Sequence, residues 1–551
     1  MRRDLKGLTA KTYDLLILGG GINGLATAWD AALRGLKVAL VEKGDFGAET
    51  SSATLKIVHG GLRYLQHLDF IRSRESIRER STMLRIAPHL VEPFPFIVPT
   101  YGHLMKGKEF MTTGLVMNEA VGLDRNRQLR DPARRIPCGR VLSRKEVLDR
   151  VTGVKEQGLT GGVMLYDAQM YNSERLTLSF ALSAAARGAH LANYVEAVGL
   201  LREGGRVTGA KVRDRESGSE FDIRARLVAN MTGPWSDILL GLLERPDPPR
   251  SVLRSKGIQI VAPSLTGHVG LAVASKYRDP DALFSRGARH YFITPWRGVS
   301  LIGTTDTVYE GDPDEFRITA ADIRDFVAEI NEAFPAAKLK PEQVPFAFGG
   351  LRPITEQNLQ KGSQAARKYE INDHARDLKI EGLISVIGVK YTTCRFLAEK
   401  VVDLVYHKLG WSLPACATES TPLVGGRIDR FDEFLKDAAG KAPAALGESV
   451  ARHLVRSYGS EYESLLEDGG AELLPGSSEV LKAEVLRAVR EECALHLADV
   501  VFRRTDLGTK GHPGRDALHA CADLMGRELN WNAAAKKREL EAVEKRFEFG
   551  E

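Results

Sequence analysis

One glycine-rich turn near the N-terminus limits what this chain can become. Tyr13-Asp-Leu-Leu-Ile-Leu18 reads as a buried strand, and Ile22 to Arg34 reads as a helix rich in Ala and Leu. Gly35 falls where a helix end calls for positive φ, and Leu36-Lys-Val-Ala-Leu-Val41 reads as a second strand. So short a crossover makes the two strands parallel. Between the first strand and the helix, Gly19, Gly20, Gly21, Ile22, Asn23 and Gly24 fit G-x-G-x-x-G in the setting that gives that motif meaning. The glycines permit the tight turn and let backbone approach a pyrophosphate, whose charge meets the helix N-terminus. Glu42, 18 residues beyond Gly24, can accept hydrogen bonds from ribose hydroxyls and would repel a 2′-phosphate. Dinucleotide binding is the expectation, NADP is disfavoured, and the motif by itself leaves FAD and NAD both open.

The rest of the chain bounds the setting. Its 551 residues suggest two to four domains. The net charge of +5 argues only weakly for an acidic partner, and no basic stripe interleaved with aromatics marks a nucleic-acid binder. Cys138, Cys394, Cys416, Cys493 and Cys521 contain no C-x-x-C pair, which suits a reducing compartment and excludes zinc fingers and thioredoxin-like motifs. There is no run of about 18 apolar residues. The basic N-terminus lacks the apolar stretch of a secretory signal, so cytosolic exposure is expected. No metal site stands out; Asp312-Pro-Asp314 reads as a turn rather than a calcium loop.

Strand and helix signals recur along the chain, at Ser173 to Arg187, Leu227 to Asn230, Leu383 to Ile387 and Thr393 to Leu409. Residues 1–90, 165–240 and 350–410 are therefore assigned to one Rossmann-like α/β domain. Residues 91–164 and 241–349 form an interdigitated substrate domain built on an antiparallel sheet, with strands at Tyr291–Thr294 and Val299–Ile302 and a capped helix starting at Thr319. Residues 425–551 form an all-helical C-terminal domain, with helices at 428–438, 444–458, 478–503 and 514–548, after a linker at Leu413 to Gly426.

A second constellation follows Glu42. Thr50-Ser51-Ser52-Ala53-Thr54-Leu55-Lys56-Ile57-Val58-His59-Gly60-Gly61-Leu62-Arg63-Tyr64-Leu65 sets hydroxyls and a Lys before a His, a Gly pair, an Arg and a Tyr. Hydroxyls and a Lys can satisfy phosphate oxygens, and a Gly pair lets backbone come close to a flat ring. This segment resembles the signature of the FAD-dependent, quinone-linked glycerol-3-phosphate dehydrogenases. The resemblance continues in Ala87-Pro88-His89-Leu90, Asn230-Met231-Thr232-Gly233-Pro234-Trp235, Pro295-Trp296, Ile302-Gly303-Thr304-Thr305-Asp306, Gly350-Leu351-Arg352-Pro353 and Gly388-Val389-Lys390-Tyr391-Thr392-Thr393. It extends into the C-terminal helices at Arg452-His453, Tyr458-Gly459-Ser460 and Phe502-Arg503-Arg504-Thr505.

The resemblance implies a glutathione-reductase-type FAD-binding domain and oxidation of sn-glycerol 3-phosphate to dihydroxyacetone phosphate, with a membrane quinone as acceptor. A glycerol-3-phosphate oxidase that reduces oxygen to hydrogen peroxide is the alternative. A non-catalytic flavoprotein would be favoured by loss of Arg352, Lys390 or the hydroxyl loop, and all are present. It further implies that Arg352, Arg63, Tyr64 and Lys390 bind substrate and that His59, with Arg352 and Lys390, is catalytic. The cofactor would be held by Gly19, Gly20, Gly21, Asn23, Gly24, Glu42, Lys43, Thr50, Ser51, Ser52, Lys56, Gly60, Gly61, Val195, Gly233, Gly388, Lys390 and Thr392. Two departures stand out. Gln259 lies where relatives carry a His in Lys-Gly-Ser-His, and Val389 where they carry a second Gly. For membrane contact the candidates are Tyr101 to Met111 with Leu115 to Met117, and the basic helix Arg72 to Arg85, on the cytoplasmic face of the inner membrane. A homodimer is compatible with all of this.

Overall fold

The computed structural model describes residues 1–61, 69–102, 107–243, 252–278, 288–354, 369–388, 390–443 and 446–550. Every residue of the strand Tyr13–Leu18 is buried. It pairs in parallel with Val38–Val41 on one side and Glu220–Asn230 on the other. His190–Ala192 and Leu383–Ile387 continue the parallel order at either flank. Parallel strands are buried on both faces. Here the helices Ile22–Leu33, Ser173–Ala185 and Cys394–Leu409 cover one face, with Leu15, Ile17, Trp29, Phe180 and Val401 in a shared core. The other face, with Tyr13, Leu16 and Leu18, packs against Val207, Val212 and Ile223.

Those last residues belong to an antiparallel run, Val195–Glu203, Arg206–Asp214 and Glu220–Asn230. From sequence only Leu227–Asn230 stands out as a strand. The run is rich in charged residues on its exposed side, so its apolar pattern is diluted.

The second sheet is antiparallel throughout except where Gly270–Arg278 lies beside Val91–Tyr101. Side chains alternate across it. Ile258, Ile260 and Ala262 face the helix Ala320–Ala333, while Val261 shares the opposite face with Trp296, Leu301, Phe346 and Phe348. The helix starts in a capping box between Thr319 and Asp322. The C-terminal helices cover the opposite face, with Phe346 and Phe502 stacked at 5.5 Å between ring centres.

Several boundaries differ from the expectation. Positions 164/165 and 349/350 fall inside the long strands Leu159–Met170 and Phe346–Ile354, both of which belong to the second sheet. Arg352, whose Gly-Leu-Arg-Pro setting reads in the sequence as a turn after Phe346-Ala-Phe348, therefore sits on a strand instead. Ile57–Val58 also pairs into the second sheet, against Ala168 and Gln169. The segment 413–426 is no free linker: Leu423 is buried and its N–H donates to Ile86 (3.0 Å), and Val424 N–H donates to Ser183 Oγ (2.9 Å). Nor is 478–503 one helix. Lys482–Glu491 stops before Cys493, whose φ is 57°, and a π-helical turn follows at Val500–Arg504.

That turn directs two consecutive arginines at one buried carboxylate. Arg504 donates to both oxygens of Asp45 (2.6 and 2.7 Å) and Arg503 to one (2.5 Å). Burial opposes ionisation of Asp45, but the two guanidiniums hold its carboxyl well below the usual range. Among the described residues no helix is long and apolar enough to cross a membrane. Removing one partner of a buried ion pair strands the other charge. Arg504→Ala is therefore expected to destabilise the protein by about 3–5 kcal/mol, read as a lowered denaturation midpoint, whereas a surface change such as Lys145→Ala leaves the midpoint within error.

Candidate active site

A cavity of about 620 Å³ opens where the two sheets meet. Its size is typical of small-molecule sites. Its walls run from Val195, Glu196 and Trp235 at one end, past the glycine turn, to His59, Gln259, Arg352 and Lys390 at the other.

The glycine turn works by close approach. A Cβ at Gly24 would collide with the carbonyl oxygen of Gly19, so the helix starts nearer the strand than any larger residue allows. Gly19 has φ 113° and a Cβ there would meet backbone at Met231. Gly19, Gly21 and Asn23 line the cavity, while Gly20 and Gly24 set the backbone path behind it. Glu42 locks the turn from the next strand, accepting from Gly20 N–H (2.6 Å) and Gly44 N–H (2.8 Å). Burial pushes its carboxyl up in pKa, against those two N–H groups, which favour the anion. Ribose hydroxyls would add donors there. Val195 follows, its N–H donating to the Glu42 carbonyl (2.8 Å). Lys43 stands at the rim, paired with Asp314 and 4.5 Å from the centre of the Trp235 ring. Gly233, with φ 57°, lines the same end.

The hydroxyl loop divides by role. Ser51 Oγ accepts from Ile22 N–H at the helix start (2.9 Å), and Thr50 donates to Leu351 O (2.6 Å); both line the cavity. Ser52 is half-buried, does not line the cavity, and donates to the carbonyls of Ala48 and Glu49. Lys56 is also turned away from the cavity. It is fully buried, donates to both oxygens of Glu174 (2.5 and 2.7 Å) and to Ser173 (2.8 Å), and lies 4.3 Å from the centre of the Phe348 ring. Burial drives its pKa down, against the pull of Glu174. The resemblance read Lys56 as a cofactor ligand; the structure makes it an interior ion pair.

At the far end, His59 and Thr392 are joined through the His59 N–H, which donates to Thr392 Oγ1 (3.2 Å). Asp167, on the strand Leu159–Met170, takes His59 Nδ1 (3.2 Å), Gly60 N–H (2.6 Å) and Arg80 (2.7 Å). Burial opposes the Asp167 anion, but the hydrogen bond from His59 and the charge of Arg80 hold its pKa down to about 2. A side chain at Gly60 would collide with Arg80, and Gly61 adopts φ 84°. Arg352 bonds Asp306 (2.9 Å) and Thr305 O (3.2 Å). Gln259 donates to Thr304 Oγ1 (2.8 Å), while its buried Oε1 has no protein partner. Asn23 Oδ1 is likewise buried and unpartnered on the cavity wall, beside Gly388. Arg63, Tyr64 and Val389 lie outside the described residues. Asp167, Arg80 and Asp306 were not picked out from sequence as site residues. An acid inside a buried strand is the one signal that could have marked Asp167.

Together these residues fit a flavin dinucleotide. A buried acid faces the ribose position, a glycine-lined helix start faces a pyrophosphate, and two orphaned acceptors await donors. Comparison with known proteins agrees. Residues 14–374 match the model of the FAD dependent oxidoreductase family, and residues 416–536 match the C-terminal domain of alpha-glycerophosphate oxidase. The chain is 34% identical to a glycerol-3-phosphate dehydrogenase of Synechocystis, over 96% of this chain and 95% of that one. It is 32% identical to glycerol-3-phosphate dehydrogenase 2 of Mycobacterium tuberculosis, over 97% and 88%. A crystal structure of the glycerol-3-phosphate dehydrogenase from Bacillus halodurans complexed with FAD superposes with a TM-score of 0.77 at 26% identity, covering 99% of this chain and 96% of that one.

The different fates of Glu42 and Lys56 can be tested side by side. Hydrogen bonds to a charged group are worth about 1.5–3 kcal/mol each. Glu42→Ala should weaken FAD retention by about 10- to 100-fold, seen as flavin lost on gel filtration. Lys56→Met should keep its flavin and lose stability instead.

Proposed function

The chain belongs to the family of FAD-dependent glycerol-3-phosphate dehydrogenases, and on that premise we propose that it oxidises sn-glycerol 3-phosphate to dihydroxyacetone phosphate and delivers the electrons to a membrane quinone. The observation that carries the reading is the convergence of two cations and a histidine at one end of the FAD cavity: Arg352, Lys390 and His59 all line it. Bound FAD supplies the acceptor for the hydride that leaves C2.

The protein's own groups do the rest. A phosphate dianion needs donors that stay charged, and the Arg352 guanidinium can offer two parallel N–H groups to it. Asp306 holds Arg352 in place through one end of the fork. Lys390 adds a second positive charge on the same wall. His59 takes the C2 hydroxyl proton. Gln259 cannot accept that proton, but its unpartnered Oε1 can accept a hydrogen bond from a substrate hydroxyl, which orients the substrate without chemistry. Arg63 and Tyr64 are proposed as further substrate contacts on the resemblance alone. The nucleotide end is assigned to Glu42 for the ribose, Ser51 and the helix start at Gly21 for the pyrophosphate, and Val195 for the adenine.

The quinone reading is supported by an apolar surface. The helix Lys108–Val121 buries only Leu115, although it carries Phe110, Met111, Val116, Met117 and Val121. Next to it, Arg74 of the helix Phe70–Ile86 bonds Val121 O (2.9 Å) and pairs with Asp124. Around this junction Ile71 is 82% exposed and Leu123 84%, with Phe70 and Val116 also open to solvent. Grouped apolar side chains at such exposure suit a membrane interface. We therefore assign the protein to the periphery of the membrane.

Anaerobic addition of sn-glycerol 3-phosphate is expected to bleach the flavin. Recovery should then be fast with a ubiquinone analogue and slow in air; fast recovery in air with hydrogen peroxide formed would make the protein an oxidase, and no bleaching would remove the substrate assignment. Arg352→Met should raise KM by at least about 100-fold, the lower limit of what two charge-assisted hydrogen bonds are worth. The double change Ile71→Glu and Leu123→Glu should abolish sedimentation with anionic liposomes and leave anaerobic bleaching intact.

A further inference from the structure

We infer that Asp167 is the positioning residue for His59, fixing its tautomer so that Nε2 carries the lone pair that receives the substrate proton. The inference rests on the reading of His59 as the base. It stands on geometry contributed by separate parts of the chain. His59 follows the short strand Ile57–Val58. That strand pairs antiparallel with the strand bearing Asp167, Val58 standing opposite Ala168, so the two side chains are brought together across the sheet.

Each contact of Asp167 serves that purpose. An ionised carboxylate only accepts hydrogen bonds, so a ring nitrogen facing it must carry the proton. Oδ2 faces His59 Nδ1 at 3.2 Å, which makes Nδ1 the N–H and leaves Nε2 as the basic nitrogen. Oδ1 is occupied by Gly60 N–H and by Arg80, whose other contact is Tyr166 O (2.8 Å). The carboxylate is thus held by both oxygens and cannot swing away. The Arg80 side chain is itself nearly fully buried, so its charge acts on Asp167 with little screening. Phe292 lies 6.1 Å from the His59 ring, centre to centre. The His59 side chain is 46% exposed, so a substrate can reach it. Among the described residues, the other charged groups at this end of the cavity include Lys390 and Arg352, with Asp306 paired to Arg352 and Glu75 of the helix Phe70–Ile86 near Lys390.

The chemistry is a proton transfer. The O–H bond at C2 breaks, its proton bonds to Nε2, and its electron pair forms the carbonyl as C2 gives up its hydride. Asp167 accepts no proton; it steadies the imidazolium that results.

The decisive readout does not depend on turnover. The ¹⁵N histidine spectrum of the FAD-loaded, substrate-free protein, with His59 assigned by its absence in His59→Asn, should show Nδ1 protonated and Nε2 bare in the neutral ring. An Nε2–H tautomer would overturn the inference, and this measurement needs no change at Asp167. In Asp167→Asn the tautomers should mix and single-turnover oxidation of glycerol 3-phosphate should slow about 100-fold, with KM little changed. The double variant should be no slower than His59→Asn alone. If His59→Asn is inactive while Asp167→Asn keeps both the wild-type rate and tautomer, Asp167 is not the positioning residue and His59 remains the base. If His59→Asn keeps its full rate, the reading of His59 as base falls, and this inference with it.

Discussion

At Gly24 the first helix passes so close to the preceding strand that any side chain would strike the Gly19 carbonyl. Glu42 reaches in from the next strand and takes the Gly20 N–H. This knot of backbone and one buried acid sets where the helix start points, and the other walls are arranged around it. Ser51 bonds the helix start, Gly388 abuts Asn23, and Val195 hangs from the carbonyl of Glu42. The cofactor end of the cavity is therefore preorganised by backbone groups and by side chains already bonded to them, which lowers the cost of binding FAD.

The reacting end is made differently, from side chains on separate strands tied by charge. The short strand Ile57–Val58 crosses from the hydroxyl loop into the second sheet and delivers His59 opposite the region of Asp167. Behind the loop, Lys56 and Glu174 pair in the interior, and Asp45 receives Arg503 and Arg504 from the C-terminal helices. Buried pairs such as these rarely add much net stability, since desolvation offsets their attraction. Their geometric demand is strict, and the Asp45 cluster joins the C-terminal domain to a residue on the cavity wall.

Much of this was legible in the residues. The parallel βαβ unit, its glycine turn and the helix from Cys394 show because strand and helix periods are strong there and glycine marks the breaks. Arg352, Lys390 and His59, drawn from three separate motifs, line one cavity. Lys56 was misread because a lysine among hydroxyls looks alike whether it faces a phosphate or a carboxylate, and only the fold reveals Glu174, 118 residues away, as its partner. Asp167 escaped for the same reason: its partner His59 is 108 residues distant and no local spacing links them. Arg352 was expected on a turn because Gly349-Gly350 and Pro353 read as breakers. Yet these glycines stand beside Ile258 and Gly257 within a regular strand pair, and Gly350 is packed so tightly on Ala53 and Thr50 that a side chain would be crowded.

The proposed chemistry comes down to one event, loss of hydrogen from C2 of glycerol 3-phosphate inside the cavity between the two sheets. Stopped-flow reduction of the FAD-loaded protein under anaerobic conditions, with substrate carrying hydrogen or deuterium at C2, addresses it directly. Deuterium at C2 is expected to slow flavin bleaching, while deuterium at C1 or C3 is not. Bleaching insensitive to C2 deuterium even in Asp167→Asn, where the chemical step is slowed, would contradict the proposed chemistry.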